Sequence, residues 1–289
     1  MHTVELARFL QEAGYAVRLF APRYAPWQIG RVDADCPFPV TLIPFTGEEW
    51  NRAVIKRKLR EAVTSFGPEA VILTDTWNMR PHLTEALAGY PVFQRLQAQE
   101  CLCPLNNLRL RPTAQQGWTL CPHRQPAAAE ECRTCLRQHG SLSGDLHRAE
   151  RELAGVEEPG YAGKLRDVFR HSPALLTLNP DIADLWRPFC NRVEVVPWGM
   201  DPARFAATAK EPPLSATDGR LRLLFAGLTN EFFKGFPVLR EACRQLWQRR
   251  QDFELIVTDE ERPAEEPFLR FIGWQSQQQL PRWYARCDV

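Results

Sequence analysis

Cys103, Cys121, Cys132 and Cys135 form the densest chemical cluster in the chain, and the last two make a CxxC pair. Four thiolates can close a tetrahedral zinc site without histidine. The stretch 101–139 has few long apolar side chains to hold it folded by burial, so a metal would supply its order. Structural zinc in small peptides contributes on the order of 10–16 kcal/mol in apparent terms. His123 and His139 are substitute ligands, and Cys101 is a fifth thiol, either an alternative ligand or free. An iron-sulfur cluster uses the same ligand set, and reduced loop cysteines are the plainer alternative.

A second constellation follows the apolar run 221–226. It comprises Gly227, Leu228, Thr229 and Asn230, then Lys234, Gly235 and a helical stretch from Phe236. A glycine after a strand lets backbone approach a ligand, and a lysine just ahead of a helix adds charge where the helix dipole already favours an anion. The combination suits a phosphate, with a solvated loop lysine as the plainer reading. Neither GxxxxGK(S/T) nor GxGxxG occurs.

These residues need a scaffold, and the apolar pattern supplies one. Short apolar runs bounded by turn residues predict strands at 15–21, 40–45, 70–74, 91–95, 175–178, 193–196, 221–226, 253–258 and 269–272. Helical stretches separate most of them, among them 3–12, 48–66 and 276–286. Near-continuous apolar strands alternating with helices imply an α/β fold whose parallel sheets are covered on both faces. The basic run 56–58 with Arg60 on the second helix reads as a solvated face. Between Gly199 and Gly219 the pattern lapses into a polar, Pro-rich stretch, which marks a linker over 200–220 between the segments 1–199 and 221–289. The chain opens in a helix and closes on what reads as the start of a strand, so a piece of a longer protein is the expectation.

Composition excludes several classes. Lys+Arg number 36 against Asp+Glu 35, a net charge of +1, which argues against a nucleic-acid-coating protein. With 44% hydrophobic and 25% charged residues the chain is an ordinary globular one. It has no apolar run of the ~18 residues that cross a bilayer and no secretion signal. A cytoplasmic location follows, and in that reducing compartment the clustered cysteines point to metal before disulfides.

The residues also resemble a family. The segment 193–205 (VEVVPWGMDPARF), then Leu223–Gly227, Lys234-Gly235 with Leu239 and Ala242, Phe271-Ile272-Gly273, and 280–289 follow one order. They are similar to the motifs of the GT-B retaining glycosyltransferases of family 4. Glu5, Leu6, Ala7, Leu10, Gly14 and Val17 match its N-terminal pattern more loosely, and Cys103-Pro104 opens a Cys-rich insertion as in several members. The resemblance implies two Rossmann-like domains (GT-B), the first lacking its opening strand and the second incomplete. Residues 1–199 would be the acceptor domain, with the Cys-rich insertion at 101–139, and 221–289 a partial nucleotide-sugar-binding domain.

The implied activity is transfer of a sugar from a nucleotide-sugar donor to a glycan or lipid-linked acceptor with retention, as in polysaccharide biosynthesis. It would need no Mg²⁺. The implied partners are that donor and acceptor and no nucleic acid, and a lipid-linked acceptor would bring peripheral contact with the inner face of a membrane. Lys234 would stabilise the departing diphosphate, Gly227, Thr229, Asn230 and Gly235 would frame it, and Ile272, Gly273 and Trp274 would lie near the base. Trp274 reads equally as core. Ligands in open α/β sheets sit at the carboxyl ends of strands, which singles out Asp75 as a catalytic candidate, together with Arg95 and Glu100 around the next strand end. A helix N-cap is the plainer role for Asp75.

The departures count as well. Leu228 stands where the family carries an arginine, Trp198 where it carries asparagine, and Gln97-Ala98-Gln99 where a His-Asp pair is usual. The family's paired glutamates would fall beyond Val289, so weak or no transfer by the chain alone is expected. A non-catalytic scaffold relic is one alternative. Another is a zinc module for nucleic-acid or protein recognition, with Arg109, Arg111, Arg124, Arg133 and Arg137 as its basic surface.

Overall fold

A computed structural model describes residues 2–27, 29–30, 36–113, 117–142, 144–199, 201–206, 212–229 and 234–289. The first elements are α1 (His2–Glu12), β1 (Leu19–Arg23), β2 (Val40–Pro44), α2 (Arg52–Phe66), β3 (Val71–Leu73), α3 (Arg80–Ala86) and β4 (Val92–Arg95). The Cys-rich stretch contributes β5 (Leu110–Pro112), β6 (Trp118–Leu120) and α4 (Ala129–His139). Then come α5 (Asp145–Ala154), α6 (Tyr161–His171), β7 (Leu175–Thr177), α7 (Pro180–Trp186) and β8 (Val193–Val195). The remainder is α8 (Ala203–Ala206), α9 (Ser215–Asp218), β9 (Leu221–Phe225), α10 (Phe236–Trp247), β10 (Phe253–Val257), β11 (Leu269–Phe271) and α11 (Leu280–Arg286).

All ladders but one are parallel. β1 pairs with β2, a four-stranded sheet runs β3-β4-β7-β8, a three-stranded sheet runs β11-β10-β9, and only β5 and β6 pair antiparallel. Among the described residues no ladder joins β1 to β3. The inner strands are apolar and buried on both faces, as β10 shows with Phe253, Leu255, Ile256 and Val257 all at 1% exposure or less. Their side chains seed separate cores. Leu96, Leu165, Leu175 and Trp186 centre one, Val63, Leu73, Leu87 and Val92 a second, and Phe236, Phe253, Leu255 and Phe268 a third under β9–β11.

The C-terminal sheet has a further neighbour. The backbone N–H groups of Asp288 and Val289 donate to the Arg222 carbonyl, and Leu224 N donates to the Val289 carbonyl at 2.7 Å. The spatial order is therefore β11, β10, β9, then 288–289. This is the reversal of strand order that defines the ligand-binding crevice of doubly wound sheets, and it falls at β9.

Several expected boundaries move, each for a local reason. The second helix begins at Arg52 rather than at residue 48, because the Asn51 side chain caps it by accepting from Val54 N at 3.1 Å. Trp50 stays outside the helix and stacks on Tyr24 with ring centroids 4.3 Å apart. The last helix starts at Leu280 rather than at 276, behind a turn in which Ser276 and Gln279 cap each other reciprocally. The first strand starts at Leu19 rather than at 15, where its register with Val40 begins. The stretch 101–139 is no plain loop. Its helix α4 buries Cys132 and Leu136, one turn apart, and carries acidic residues in its first turn and basic ones in its last, as the helix dipole favours.

Candidate functional site

Two loop systems lie at the carboxyl ends of parallel strands. The first follows β3 and β4. Asp75, directly after β3, is exposed with φ +53°, and its carboxylate accepts from Gln97 Nε2 at 2.7 and 2.8 Å and from Thr3 Oγ1 at 2.8 Å. Asp75 is thus engaged with the loop after β4 and with α1, and no side-chain cap bond is made at the start of the short 3-10 turn Trp77–Met79 that follows.

Beneath it lies a buried charge network. The fully buried Arg80 donates from Nη1 to the Leu73 carbonyl and Gln94 Oε1, both at 3.0 Å, and from Nη2 to the Arg95 carbonyl at 3.1 Å and Glu100 Oε2 at 3.3 Å. One guanidinium therefore ties the ends of both strands to the loop after β4. Burial pushes the Glu100 carboxyl up to about 7 despite its arginine partner. Arg95 is also buried, and its Nη1 has no hydrogen-bond partner. Burial lowers the Arg95 pKa, while the Asp75 and Glu100 charges oppose that shift.

The same region holds strained backbone. Asp75, Trp77 and Cys101 all have left-handed φ, at +53°, +38° and +62°, a conformation that costs about 1–3 kcal/mol each and persists where the surroundings over-determine it. Those surroundings are visible. Cys101 Sγ donates to the Trp77 carbonyl at 3.0 Å, Tyr161 donates to the Asn78 carbonyl at 2.7 Å, and Glu150 accepts from Asn78 Nδ2 at 2.8 Å and Met79 N at 3.1 Å. Burial raises Glu150 to about 7 and Cys101 to about 12.

The second loop system follows β9, β10 and β11. At Gly227 a Cβ would come into ordinary contact with the Phe225 ring and lie 3.9 Å from the Cδ of Lys234. The expected glycine and lysine are therefore neighbours, with Lys234 itself exposed. Gly235, at φ +78°, begins α10 without a side-chain cap, so no cap side chain takes the N–H groups of the first turn. Thr229 donates from both backbone N and Oγ1 to Asp259, just after β10. Arg262 Nη2 donates to Thr229 Oγ1 at 2.9 Å. After β11, Ile272 N donates to the Val257 carbonyl at 3.0 Å, Gly273 has φ +77°, and Trp274 is 59% exposed rather than core. Asn230 lies outside the described residues.

The four expected metal ligands share a place but not a closed geometry. Cys103, Cys121, Cys132 and Cys135 line one cavity of ≈ 510 Å³ with His123 and His139. Among the described residues, however, no three His, Cys, Asp or Glu side chains are grouped so as to hold a metal ion. Cys132 is pushed up to about 12 by burial and by the neighbouring Cys103, Cys121 and Cys135. Cys101 is bound instead to the Trp77 carbonyl. Of the nearby arginines, Arg109 is buried and its Nε donates to Gln99 Oε1 at 2.6 Å, Arg124 donates to the Leu185 carbonyl at 3.4 Å, Arg133 pairs with the exposed Glu130, and Arg111 and Arg137 are exposed.

Sequence reasoning missed Arg80, Glu150, Asp259 and Arg262. Asp259 follows a strand just as Asp75 does, and the same positional rule finds it. Arg80 and Glu150 give no such signal, because their partners are set by tertiary contact.

No family model and no curated protein matches this chain. Among solved structures it is similar to sucrose-phosphate synthase from Thermosynechococcus elongatus, with a TM-score of 0.59 and 12% identity over 98% of this chain and 67% of that one. A glycosylation-associated protein complex from Streptococcus agalactiae matches over 82% of this chain and 40% of that one at 10% identity, with a TM-score of 0.33, too low to support an argument. The first likeness establishes a GT-B-like fold of Rossmann type. No helix among the described residues is long and apolar enough to cross a membrane.

Proposed function

We propose that the chain belongs to a retaining glycosyltransferase of the family 4 kind, which moves a sugar from a nucleotide sugar to a glycan or lipid-linked acceptor. The observation that carries this reading is the meeting of Gly227, Lys234 and the uncapped start of α10 at the strand-order reversal beside β9. When the donor's glycosidic bond breaks, negative charge builds on the diphosphate, and preorganised donors aimed at that charge are the largest single aid to such a reaction. Lys234 and the positive end of the α10 dipole would receive it, Gly227, Thr229, Asn230 and Gly235 would frame it, and Ile272, Gly273 and Trp274 would border the base. On the acceptor side Asp75 offers a carboxylate to an incoming hydroxyl. Arg95 and Glu100 stand behind it, with Glu100 held by Arg80.

The test is a thermal-shift panel of UDP, GDP, ADP, CDP and dTDP. A shift with one of them identifies the base, and no shift with any removes the reading. A non-catalytic relic of the same fold is favoured by one observation: the Asp259 carboxylate already occupies the Thr229 N–H, where an anion is otherwise welcome. Nucleotide binding without turnover by the full-length protein would select it.

Zinc at Cys103, Cys121, Cys132 and Cys135 is a separate proposal, supported by the shared cavity and the soft thiol donor set. It has no part in the transfer step. Purified protein is expected to carry about one metal equivalent, and Cys132→Ser to lower metal content and stability together. Elemental analysis separates zinc from iron, and full retention of metal and stability removes the site.

A further inference from the structure

The family resemblance leaves a gap in the diphosphate site, because Leu228 stands where an arginine would join the lysine. The fold brings another arginine to the same loop. Arg262, in the connection between β10 and β11, hydrogen-bonds Thr229 Oγ1 at 2.9 Å, one residue from Leu228. Its guanidinium lies 4.0 Å from the centre of the Phe271 ring, which supports it from one face. The side chain is 43% exposed, so it lies within reach of a ligand.

Of the five acidic residues in that connection, Glu265 and Glu266 are engaged by α10, Glu260 and Glu261 are exposed, and Asp259 sits beside the glycine loop. Asp259 is bound by Thr229 and lies 3.9 Å from Arg262 Nη1, a loose approach. Glu265 and Glu266 are held by Arg240 and Arg244 of α10, with Glu266 Oε1 at 2.7 Å from Arg240 Nε and 2.8 Å from Arg244 Nη2. Lys234 lies against Gly227 and Arg262 is bonded to Thr229, so the two cations flank three consecutive residues. A trans chain spans no more than about 7.6 Å between the outer Cα atoms of such a loop.

We propose that Arg262 is the second cation of the diphosphate cradle, supplied from the β10–β11 connection in place of the residue at 228. The proposal rests on the donor-site reading above. A planar guanidinium seated on a ring and anchored at one nitrogen presents its remaining N–H groups as a fork, the geometry that grips two phosphate oxygens at once. Lys234 acts by contrast as a single point charge. The pair would therefore favour a diphosphate over a monophosphate.

Isothermal titration of the whole chain with inorganic pyrophosphate, inorganic phosphate and the five nucleoside diphosphates tests this, using Arg262→Gln, Arg262→Lys and Lys234→Ala. The expected result is pyrophosphate binding that weakens about tenfold in Arg262→Gln, the loss of one charge-assisted contact, with phosphate affected less. Wild-type pyrophosphate affinity in Arg262→Gln, alongside weakening in Lys234→Ala, overturns the role of Arg262 and leaves the donor site standing. No binding of pyrophosphate or any nucleotide by the unaltered chain overturns both. If Arg262→Gln fails to fold, Arg262→Lys decides. A loss of about threefold supports the fork, because the charge is kept and the two-pronged geometry is not, and unchanged affinity overturns it.

Discussion

At the carboxyl ends of β3 and β4 Arg80, Arg95 and Glu100 lie buried beneath an exposed Asp75, whereas at the ends of β9–β11 Lys234 and Arg262 are exposed around a buried Asp259. Arg80 is 0% exposed and Arg262 43%. Both loop systems occupy the same place in a parallel sheet, so the difference comes from what the charges are bonded to. Around Asp75 the network fixes strained backbone and leaves one carboxylate outward. Around Gly227 little is strained apart from the glycines; Lys234 is exposed, and Arg262, bonded to Thr229 and seated on the Phe271 ring, is 43% exposed. The comparison separates positioning from binding: changes in the first region should alter folding, and changes to Lys234 and Arg262 in the second should act chiefly on ligand affinity.

The largest expected effect is that of Arg80→Ala, which strands Glu100 as a buried charge and removes bonds to the Leu73 and Arg95 carbonyls. A loss of about 3–5 kcal/mol in urea unfolding is expected, and a loss below 1 kcal/mol would end the idea of a buried brace. Next is pH. Glu150 titrates near 7 when folded and near 4.5 when exposed, so across that interval the folded chain holds a proton that the unfolded chain has released. Stability is therefore full at low pH and falls as pH rises from about 4.5 to 7, by up to about 3 kcal/mol. Glu100 titrates over the same interval, so Glu150→Gln should lessen that slope without abolishing it, and an unchanged slope would assign it to other groups.

Lys234→Ala sharpens the contrast from the other side. Nucleoside diphosphate affinity should fall about tenfold, near 1.4 kcal/mol, while the unfolding midpoint without ligand stays put. A lowered midpoint with unchanged affinity would make Lys234 a structural residue. Smallest is Thr229→Val, which deletes one of the donors to Asp259 and should cost about 1 kcal/mol of stability.

The scaffold was legible in sequence because buried parallel strands such as 253–257 and 221–225 are apolar runs broken by one charged residue each, Glu254 and Arg222, a density that solvent-facing segments do not keep. That Gly227 and Lys234 come together was legible for a related reason: a strand, a glycine and a lysine ahead of a helix are close in sequence. Arg80 and Glu100 are not. Twenty positions separate them, and nothing local marks an arginine that the fold will bury. α4 stayed hidden because only Cys132 and Leu136 supply its buried face, too few apolar positions to register as a helical stripe.

The break in pairing between β1 and β3 has a consequence for handling the protein. Among the described residues each of these strands has a ladder on one side only, β1 with β2 and β3 with β4. A parallel strand with an unanswered rim of amide and carbonyl groups is a template for any extended peptide that meets it. Association into oligomers that grow with concentration is therefore the hazard to expect of this polypeptide in a test tube, and a short strand-forming peptide that zips onto either rim is the remedy to try.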